Sequence, residues 1–468
     1  MTAVVWLRRD LRLRDHPALA AAAAAHNGDV AALFVVDPQL WTRSGAVRRE
    51  WLRRSLHTLN EQLDGRLWIA EGDPAAVLPE VARATGATSV HLTRDFGAYG
   101  QRRDALVTSA LAQAGVKVIT SGSPYAVDPG TVLTGGGTRY RVYTPFYRQW
   151  VQHAFVAPSP ATPVRWIDPP PAYRIGARGA LTAKQSDVDL PNVGEEAAWR
   201  RWDWFKNNTL VDYDTSRNRP DLDGTSSLSA HLRWGEIHPR SLLADLAPYL
   251  TDPTTSVGAT TFAKEIAWRE FYADVWDANP TSTHRSLDPR FDQTLAVDGG
   301  TEADERFVAW QHGLTGFPFV DAGMRQLRAT GWMHNRVRMV SASFLVKGLH
   351  LPWQRGAAHF MEWLRDGDAA SNQQGWQWVA GCGTDAAPFH RIFNPVKQGL
   401  TFDPSGDYVR RWVPELAEIA GAAAHEPWRV RGTLAEPAGL TYPEPIIDHA
   451  AERQEALRRF AVLPPRNQ

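Results

Sequence analysis

The chain has 468 residues, of which 43% are hydrophobic and 22% are charged, as is ordinary for a folded globular protein. Basic and acidic residues number 51 each, so a uniformly basic nucleic-acid-binding protein is excluded, although a local basic face is not. No apolar run reaches the roughly 20 residues of a membrane span, and the N-terminus lacks a signal-peptide core. We therefore expect a cytoplasmic protein that does not contact membranes.

Cysteine and histidine usage argues against a metal site. The single cysteine, Cys382, excludes an internal disulfide and a cysteine-based zinc site. The histidines of the second half share no ligand spacing, so no metal centre is predicted.

Residues 1–124 alternate short apolar runs with segments of helical spacing. The runs lie at 3–7, 30–36, 67–69, 89–93 and 116–120. Strands that alternate with helices predict a Rossmann-like α/β domain with a parallel sheet. Ligands of such sheets bind beyond the carboxyl ends of the strands.

The rest of the chain divides by composition. Residues 125–195 are rich in Pro, Gly, Ser and Thr and show few periodic segments, which predicts a long linker wrapped over the surface. Its three consecutive glycines, 135–137, lack the Lys-Ser/Thr of a phosphate loop and indicate a hairpin turn. Helical patterns dominate 196–468, which predicts a second, larger, all-helical domain.

Two segments of the helical part carry candidate ligand-binding residues. The sequence DGTSSLS at 223–229 places hydroxyls at a helix start, where they form either an anion site or an ordinary cap. On the helix predicted over 261–276, Glu265, Trp268 and Arg269 share one face. That face either contacts a ligand or carries a weak surface ion pair.

Two further segments also place candidate ligand-binding residues on one face of a helix. In 332–339, Asn335, Arg338 and Met339 share a helix face and Arg336 points elsewhere. In 366–378, Asp368, Asn372 and Trp376 follow at i, i+4 and i+8, and Trp378 points to a different side. One indole can thus face a cofactor while the other faces another ligand.

These segments resemble, in order and over nearly the whole chain, the photolyase–cryptochrome family, and specifically its class I cyclobutane pyrimidine dimer photolyases. The similar stretches are WLRRDLRLRDHPAL, DGTSSLS, EIAWREFY, GWMHNRVRM, DGDAASNQQGWQWVAGCGTDAAPFHRIFNP and VPEL. The resemblance implies an α/β antenna domain over 1–124, a linker over 125–195 and a helical FAD- and DNA-binding domain over 196–468. It also implies a deoxyribodipyrimidine photo-lyase, in which excited reduced FAD donates an electron to a flipped-out pyrimidine dimer.

The resemblance assigns two groups of residues to FAD. The group implied at the phosphates and ribityl chain is Tyr213, Thr225, Ser226, Ser227, Leu228 and Ser229. The group implied around the isoalloxazine is Arg269, Asn335, Arg338, Asp366, Asp368 and Asn372. Within the second group, Arg338 is expected to pair with Asp366, and Asn372 to lie near the flavin N5. An amide at that position favours a photolyase over a plant cryptochrome.

The resemblance also implies that the chain binds UV-damaged DNA. It implies a catalytic pocket for the lesion and a surface that contacts the DNA backbone. The pocket residues are Glu265, Trp268, Asn335, Met339 and Trp378, with Asn372 counted among the catalytic residues. Trp268 and Trp378 would stack on the dimer, and Glu265 would hydrogen-bond its base edge. Arg217, Arg336 and Arg391 match arginines that grip the DNA backbone. Met339 stands where (6-4) photolyases carry a second catalytic histidine, and so argues against that subclass.

The tryptophan chain that photoreduces FAD in this family is incomplete in this sequence. Trp376 and Trp353 match its first two members, but the third is expected near residue 300, where the sequence reads Ala-Val-Asp-Gly-Gly over 296–300. Either another aromatic residue substitutes or photoreduction is slow. We predict slow photoreduction, with repair retained when FAD is reduced beforehand, and Trp310 as the residue whose loss would reveal a rerouted chain.

An antenna chromophore is the remaining expectation from the resemblance. Its candidate pocket residues are Arg9, Phe34, Asp37, Arg48 and Asp95. The pair Tyr99-Gly100 is similar to the 8-hydroxy-5-deazaflavin type, while methenyltetrahydrofolate or an empty pocket are the alternatives. A monomer suffices for lesion flipping. The alternative function is a blue-light receptor that signals through a protein partner.

Overall fold

A computed structural model describes residues 2–177, 179–294, 298–389, 391–434 and 436–465. The chain forms two compact units. The first comprises Met1–Val211 with Ser226–Pro280, and the second comprises Asp212–Thr225 with Thr281–Gln468. The units divide the chain at residues other than 124 and 195, so the domain boundaries expected from the sequence stay a prediction.

The first unit contains a parallel sheet, as predicted. Its strands are β1 (Thr2–Leu7), β2 (Asp29–Val36), β3 (Leu67–Glu71), β4 (Ala87–Leu92), β5 (Lys117–Thr120) and β6 (Arg165–Trp166). Five strands follow the order β3-β2-β1-β4-β5, and β6 pairs with β2. Register places Trp6 beside Leu33 and Leu92. The inner strands are almost wholly buried, as in parallel sheets that are covered on both faces.

Helices make up most of the remaining described structure. Those of the first unit are α1 (Pro17–Ala25), α2 (Pro38–Arg43), α3 (Ala46–Gln62), α4 (Pro74–Thr85), α5 (Ala98–Gln113), α6 (Tyr143–Ala154), α7 (Gly179–Thr182), α8 (Glu195–Asn208), α10 (Ser229–Trp234), α11 (Pro239–Leu246) and α12 (Ser256–Ala278). Those of the second unit are α9 (Tyr213–Ser216), α13 (Pro289–Thr294), α14 (Thr301–His312), α15 (Pro318–Thr330), α16 (Asn335–Ser343), α17 (Trp353–Trp363), α18 (Ala369–Ala380), α19 (Pro395–Phe402), α20 (Asp407–Trp412) and α21 (His449–Ala461).

The predicted linker is more ordered than its composition indicates. The expectation of few periodic segments is wrong for 143–154, which form α6, and for β6, which joins the sheet. The aromatic residues Tyr143, Phe146 and Trp150 recur at helical spacing and are buried, and that burial stabilises the helix. The hairpin turn at the glycine triplet is confirmed by an antiparallel bridge between Leu133 and Arg139.

Two buried carboxylates of α12 hold this segment in place. Glu270 accepts hydrogen bonds from the main-chain N–H of Val127 at 3.0 Å and from the Trp150 indole at 2.7 Å. Asp274 accepts from the Gly130 N–H at 2.7 Å. Burial raises the pKa of Glu270 to about 7, and the donors only partly oppose that shift.

The contribution of Glu270 to the stability of the protein is therefore expected to be lost as the pH rises from about 4.5 to about 7. The folded protein keeps the Glu270 proton over that interval, whereas the unfolded chain releases it near the ordinary pKa, so the unfolded state binds fewer protons. Glu270→Gln removes this titration, so the free energy of unfolding of the wild type minus that of the variant is expected to fall over this interval, measured by urea unfolding at several pH values. The exposed Glu80→Gln is the control and retains the wild-type profile. An unchanged slope in Glu270→Gln contradicts the assignment.

The second unit surrounds a core of aromatic and aliphatic side chains. Trp310, Phe360 and Trp376 lie near its centre, and Tyr408 and Tyr442 are also fully buried. Among the described residues, no helix is long and apolar enough to cross a membrane.

Candidate functional site

Two helices of the second unit that carry predicted cofactor-binding residues each begin at a side-chain cap. At the start of α16, the His334 ring accepts a hydrogen bond from the Arg336 N–H at 3.2 Å. At the start of α18, the Asp368 carboxylate accepts from the Ser371 N–H at 3.0 Å. Such caps satisfy donors that the helix leaves unpaired, and they fix the direction in which each helix leaves its loop.

The predicted Arg338–Asp366 ion pair is present. Arg338 Nη2 donates to Asp366 Oδ2 at 2.8 Å, and Arg338 Nε donates to the Met333 carbonyl at 2.7 Å. The Asp366 side chain is 3% exposed and that of Arg338 is 24% exposed. The carboxylate is thus held in a nearly dry position, and the guanidinium orientation is fixed by two acceptors.

The Asn372 amide is oriented in a way that suits a flavin. Its Nδ2 donates to the Ala357 carbonyl at 3.1 Å and to Gln373 Oε1 at 2.7 Å. Both amide hydrogens are therefore committed, and the side-chain oxygen is the atom left to accept a hydrogen bond from a ligand. An amide acceptor of this kind and an arginine–carboxylate pair are groups that match the mixed donors and acceptors of an isoalloxazine edge.

Trp376 lies on the predicted face of α18 and is buried among other rings. Its ring meets Phe360 edge to face at a centroid distance of 5.0 Å and Trp310 at 6.1 Å. Trp353 donates its indole N–H to Ser286 Oγ at 3.0 Å. Within the described residues, Trp353 makes no aromatic ring contact with Trp376. Residues 296 and 297, part of the segment that lacks the expected third tryptophan, lie outside the described residues.

A cluster of positive charge lies at the start of α16. Burial, followed by the charges of Arg336 and Arg338, lowers the pKa of His334 to about 3. Burial and the nearby Arg217 also lower the pKa of Arg336. Arg336 donates to Asn218 Oδ1 at 2.7 Å and stacks over the Phe402 ring at 4.4 Å. Closely spaced guanidinium groups that repel one another favour a bound anion such as a phosphate.

The other predicted residues of the second unit occupy more varied positions. Asn335 is exposed as the first residue of α16, and Met339 and Trp378 are half-buried at the edge of the core. Tyr213 is buried in the short α9, and Thr225 is half-buried. Arg391 is exposed, and its carbonyl accepts from Lys347 at 3.5 Å.

In the first unit, α12 carries the predicted face of Glu265, Trp268 and Arg269, and all three side chains are half-buried. The Trp268 ring stacks on Tyr143 of α6, with centroids 3.7 Å apart and planes 8° from parallel. The Tyr143 hydroxyl donates to the Lys264 carbonyl at 2.7 Å, which fixes its ring. Trp268 is therefore held rigidly by one of its faces.

Arg269 is bound largely by main-chain oxygens. Its guanidinium donates to the carbonyls of Pro124 at 3.1 Å and Leu232 at 3.3 Å and stacks over Tyr125 at 4.7 Å. These contacts tie α12 to the start of the predicted linker. Its expected position beside the isoalloxazine stays a prediction.

The hydroxyl-rich loop has an unusual backbone. Ser227 has a φ of 53°, in the left-handed region that serine rarely adopts. The Ser226 carbonyl accepts from Arg201 at 3.0 Å, and Leu228 is buried. Ser229 is exposed at the start of α10. The Arg201 contact and the buried Leu228 thus hold the loop, in which Ser226 and Ser227 are half-buried and Ser229 is exposed.

The predicted antenna residues lie in and beside the sheet. Phe34 lies near the carboxyl end of β2. Asp37 caps α2, and its carboxylate accepts a hydrogen bond from the Tyr99 hydroxyl. Arg48 is buried on α3. The Arg9 guanidinium donates to the Arg233 carbonyl at 3.4 Å, and Asp95 pairs with Arg103 at 3.2 Å. Asp95 also lines a cavity of about 440 Å³, which the other four residues do not line.

Sequence reasoning missed several side chains that shape these surfaces. Tyr143, Asn218, Phe402 and Gln373 each contact a predicted site residue directly. The aromatic spacing of 143–150 was the one available signal, and it points to α6 rather than to the Trp268 stack. In the described parts of the chain, no cluster of three or more His, Cys, Asp or Glu side chains could hold a metal ion.

Residues 3–164 match the DNA photolyase family, and residues 262–462 match the FAD binding domain of DNA photolyase. The chain is 38% identical over 461 residues to a deoxyribodipyrimidine photo-lyase of Streptomyces griseus, covering 96% of this chain and 97% of that protein. It is 35% identical to the Escherichia coli deoxyribodipyrimidine photo-lyase, covering 98% of both.

Solved structures agree with this relationship. A class III photolyase from Agrobacterium tumefaciens superposes with a TM-score of 0.88 at 36% identity, covering 99% of this chain and 97% of that one. A Synechocystis cryptochrome superposes with a TM-score of 0.83 at 26% identity, covering 98% of each chain. The chain belongs to the DNA photolyase family and carries its FAD-binding domain. The expected class I membership is not confirmed, because this structural relative is a class III enzyme.

Proposed function

We propose that this chain repairs cyclobutane pyrimidine dimers in DNA in a light-dependent reaction. Bound reduced FAD, when excited by light, supplies the electron for this reaction. The roles of the individual residues are inferred from their contacts and from the family. Two observations of the second unit carry the proposal: the Asn372 amide, whose hydrogens are both donated so that its oxygen can accept from a ligand, and the buried Arg338–Asp366 pair.

The chain's own residues bind and orient in this proposal. Arg338, Asp366 and Asp368 hold the isoalloxazine edge together with Asn335 and Arg269. Tyr213 and Thr225, with the loop residues Ser226, Ser227, Leu228 and Ser229, hold the phosphates and ribityl chain. The buried Asp366 and the capped start of α18 keep this arrangement rigid, so little reorganisation accompanies electron transfer.

The lesion is proposed to stack on Trp268 and Trp378 and to contact Glu265, Asn335 and Met339. Arg217, Arg336 and Arg391 bind the DNA backbone, since a locally positive surface attracts phosphate even in a chain of zero net charge. Trp376, with Trp353 as the family implies, donates electrons that restore the reduced cofactor. A monomer is sufficient for this reaction.

The deciding experiment measures repair of an oligonucleotide with one thymine dimer by protein whose FAD has been chemically reduced. Blue light is expected to restore the thymines, and darkness is not. The similarity to a Synechocystis cryptochrome favours a light receptor as the second candidate. Tight FAD binding with no repair in light would reject the repair function and support the receptor.

Trp268→Ala is expected to weaken binding to dimer-containing DNA by about 1.5 kcal/mol, or about tenfold in Kd, because a base loses one stacking platform. Affinity for undamaged DNA stays unchanged. Trp268→Phe retains most of the stacking and most of the affinity. Trp204→Ala, which removes another half-buried tryptophan of the first unit, is the control. Equal losses on damaged and undamaged DNA would contradict a lesion-stacking role.

We propose 8-hydroxy-5-deazaflavin as an antenna chromophore bound by Arg9, Phe34, Asp37, Arg48 and Asp95, with methenyltetrahydrofolate or an empty pocket as the alternatives. The similarity of Tyr99-Gly100 to the deazaflavin type supports the first, and the Tyr99–Asp37 hydrogen bond places a fixed polar group at the carboxyl end of β2, where ligands of such sheets bind. Chromophore extraction and absorption spectra of protein purified from its native host distinguish the three.

A further inference from the structure

The second unit contains a row of aromatic rings that leads away from Trp376 in a direction other than Trp353. The Trp310 ring meets the Trp376 ring edge to face, with centroids 6.1 Å apart and planes at 72°. Phe360 contacts both rings, at 5.0 Å from Trp376 and 5.9 Å from Trp310. Trp310 is 0% exposed, so this end of the row lies inside the core.

The row continues from Trp310 to half-buried Trp363. The His359 ring lies 5.5 Å from Trp310 and 6.4 Å from Trp363. His359 and Trp363 stand at i and i+4 on α17, which places them on one face of the helix. The Nδ1 of His359 accepts from Gln311 Nε2 at 3.0 Å, so the imidazole is held between the two indoles. Burial lowers the pKa of His359 to about 4, which keeps the ring neutral at pH 7.

Trp310 and Trp363 differ in whether the oxidised indole can lose its N–H proton. The Trp310 N–H donates to the Ser341 carbonyl at 3.1 Å, inside the core. A main-chain carbonyl does not take up a proton, so an oxidised Trp310 stays a radical cation and can only pass its charge on. Trp363 is the last residue of α17 and is half-buried, with access to water.

A cation beside Trp363 favours release of its proton. The Arg328 guanidinium lies 4.8 Å from the Trp363 ring centroid. A fixed positive charge disfavours a second one nearby, and an oxidised indole reduces that repulsion when it loses its N1 proton to water. The resulting neutral radical cannot easily recover the electron from the cofactor side, because the proton must return first.

We propose that Trp363, reached through Trp310, is the terminal electron donor of the tryptophan chain in this protein. Trp310 gives one electron to oxidised Trp376, and Trp363 gives one electron to oxidised Trp310 across His359. Trp363 then loses its N1 proton to water, and an exogenous thiol restores it by donating a hydrogen atom. This inference rests on the function proposed above, in which Trp376 is an electron donor, and it selects the substituting aromatic residue over slow photoreduction.

The test is transient absorption of tryptophan radicals after a blue flash on holoenzyme with oxidised FAD. Wild-type protein is expected to show a long-lived neutral tryptophan radical that disappears when dithiothreitol is added. Trp363→Phe shortens the lifetime of the radical by about an order of magnitude, as does Trp310→Phe. Trp412→Phe, which replaces a half-buried tryptophan outside the row, keeps the wild-type lifetime, and Trp353→Phe is measured beside it as the variant of the other branch.

The outcomes separate this inference from the repair function. A long-lived radical that survives in Trp363→Phe, or that is lost in Trp353→Phe and kept in Trp310→Phe, overturns the proposal, as does its absence from the wild type. Trp310 is fully buried, so flavin content and unfolding are measured for its variant. If that variant misfolds, Trp363→Phe decides. Repair by wild-type protein with chemically reduced FAD does not use this row, and its failure would overturn the repair function alone.

Discussion

Arg338→Ala is expected to lower the free energy of unfolding by about 3 kcal/mol, because it leaves the Asp366 carboxylate buried without its cation. Asp366 is 3% exposed, so its carboxylate is largely shielded from water in the folded protein. The substitution also removes the donor to the Met333 carbonyl, which precedes α16 by two residues. We therefore expect purified Arg338→Ala to retain little FAD, measured by flavin absorbance against protein concentration.

A matched pair on the same unit separates burial from ion pairing as such. Arg306 is also 24% exposed and pairs with Glu302, whose side chain is 77% exposed. Arg306→Ala breaks an exposed i,i+4 pair and is expected to cost about 0.4 kcal/mol with FAD content unchanged. Urea unfolding of both variants makes the comparison. Similar losses of stability for the two would show that the low exposure of Asp366 has no energetic consequence.

The parts of the structure that were predictable from sequence are those set by local spacing. The parallel sheet follows from apolar runs alternating with helical segments. The α18 helix follows from Asp368, Asn372 and Trp376 at i, i+4 and i+8, and the structure places that helix at Ala369–Ala380. The Arg338–Asp366 pair came from the family resemblance, since nothing local joins residues 28 positions apart.

The parts that were missed depend on long-range packing. Tyr143 and Trp268 stack although 125 residues separate them, and the Pro- and Gly-rich flanks of α6 conceal its helical spacing. The contact of Trp310 with Trp376 likewise joins residues that are far apart in the sequence. In a chain with 20 tryptophans, composition indicates an aromatic core, but only the packing of α14 against neighbouring helices decides which indoles meet.

Gly356→Ala is expected to lower the free energy of unfolding by about 2 kcal/mol and to displace the Trp376 ring. A Cβ at Gly356 would lie 2.1 Å from Trp376 Cη2 and 2.6 Å from Leu345 Cδ2, closer than carbon atoms can approach. Phe360 and Trp310 press on the Trp376 ring from other sides, so it cannot move away without disturbing the core. The strain exceeds the gain of about 1 kcal/mol that alanine normally brings to a helix.

Gly375→Ala is the matched control, because Gly375 also lies within a helix but an added Cβ would meet no atom within 4 Å. It is expected to raise the free energy of unfolding by about 0.5–1 kcal/mol. The two alanine substitutions are thus expected to change the free energy of unfolding, measured with urea, in opposite directions. Only Gly356→Ala is expected to change the near-ultraviolet circular dichroism of the buried tryptophans. If Gly356→Ala were as stable as Gly375→Ala, with an unchanged spectrum, α17 and α18 could not be packed as closely as Gly356 and Trp376 require.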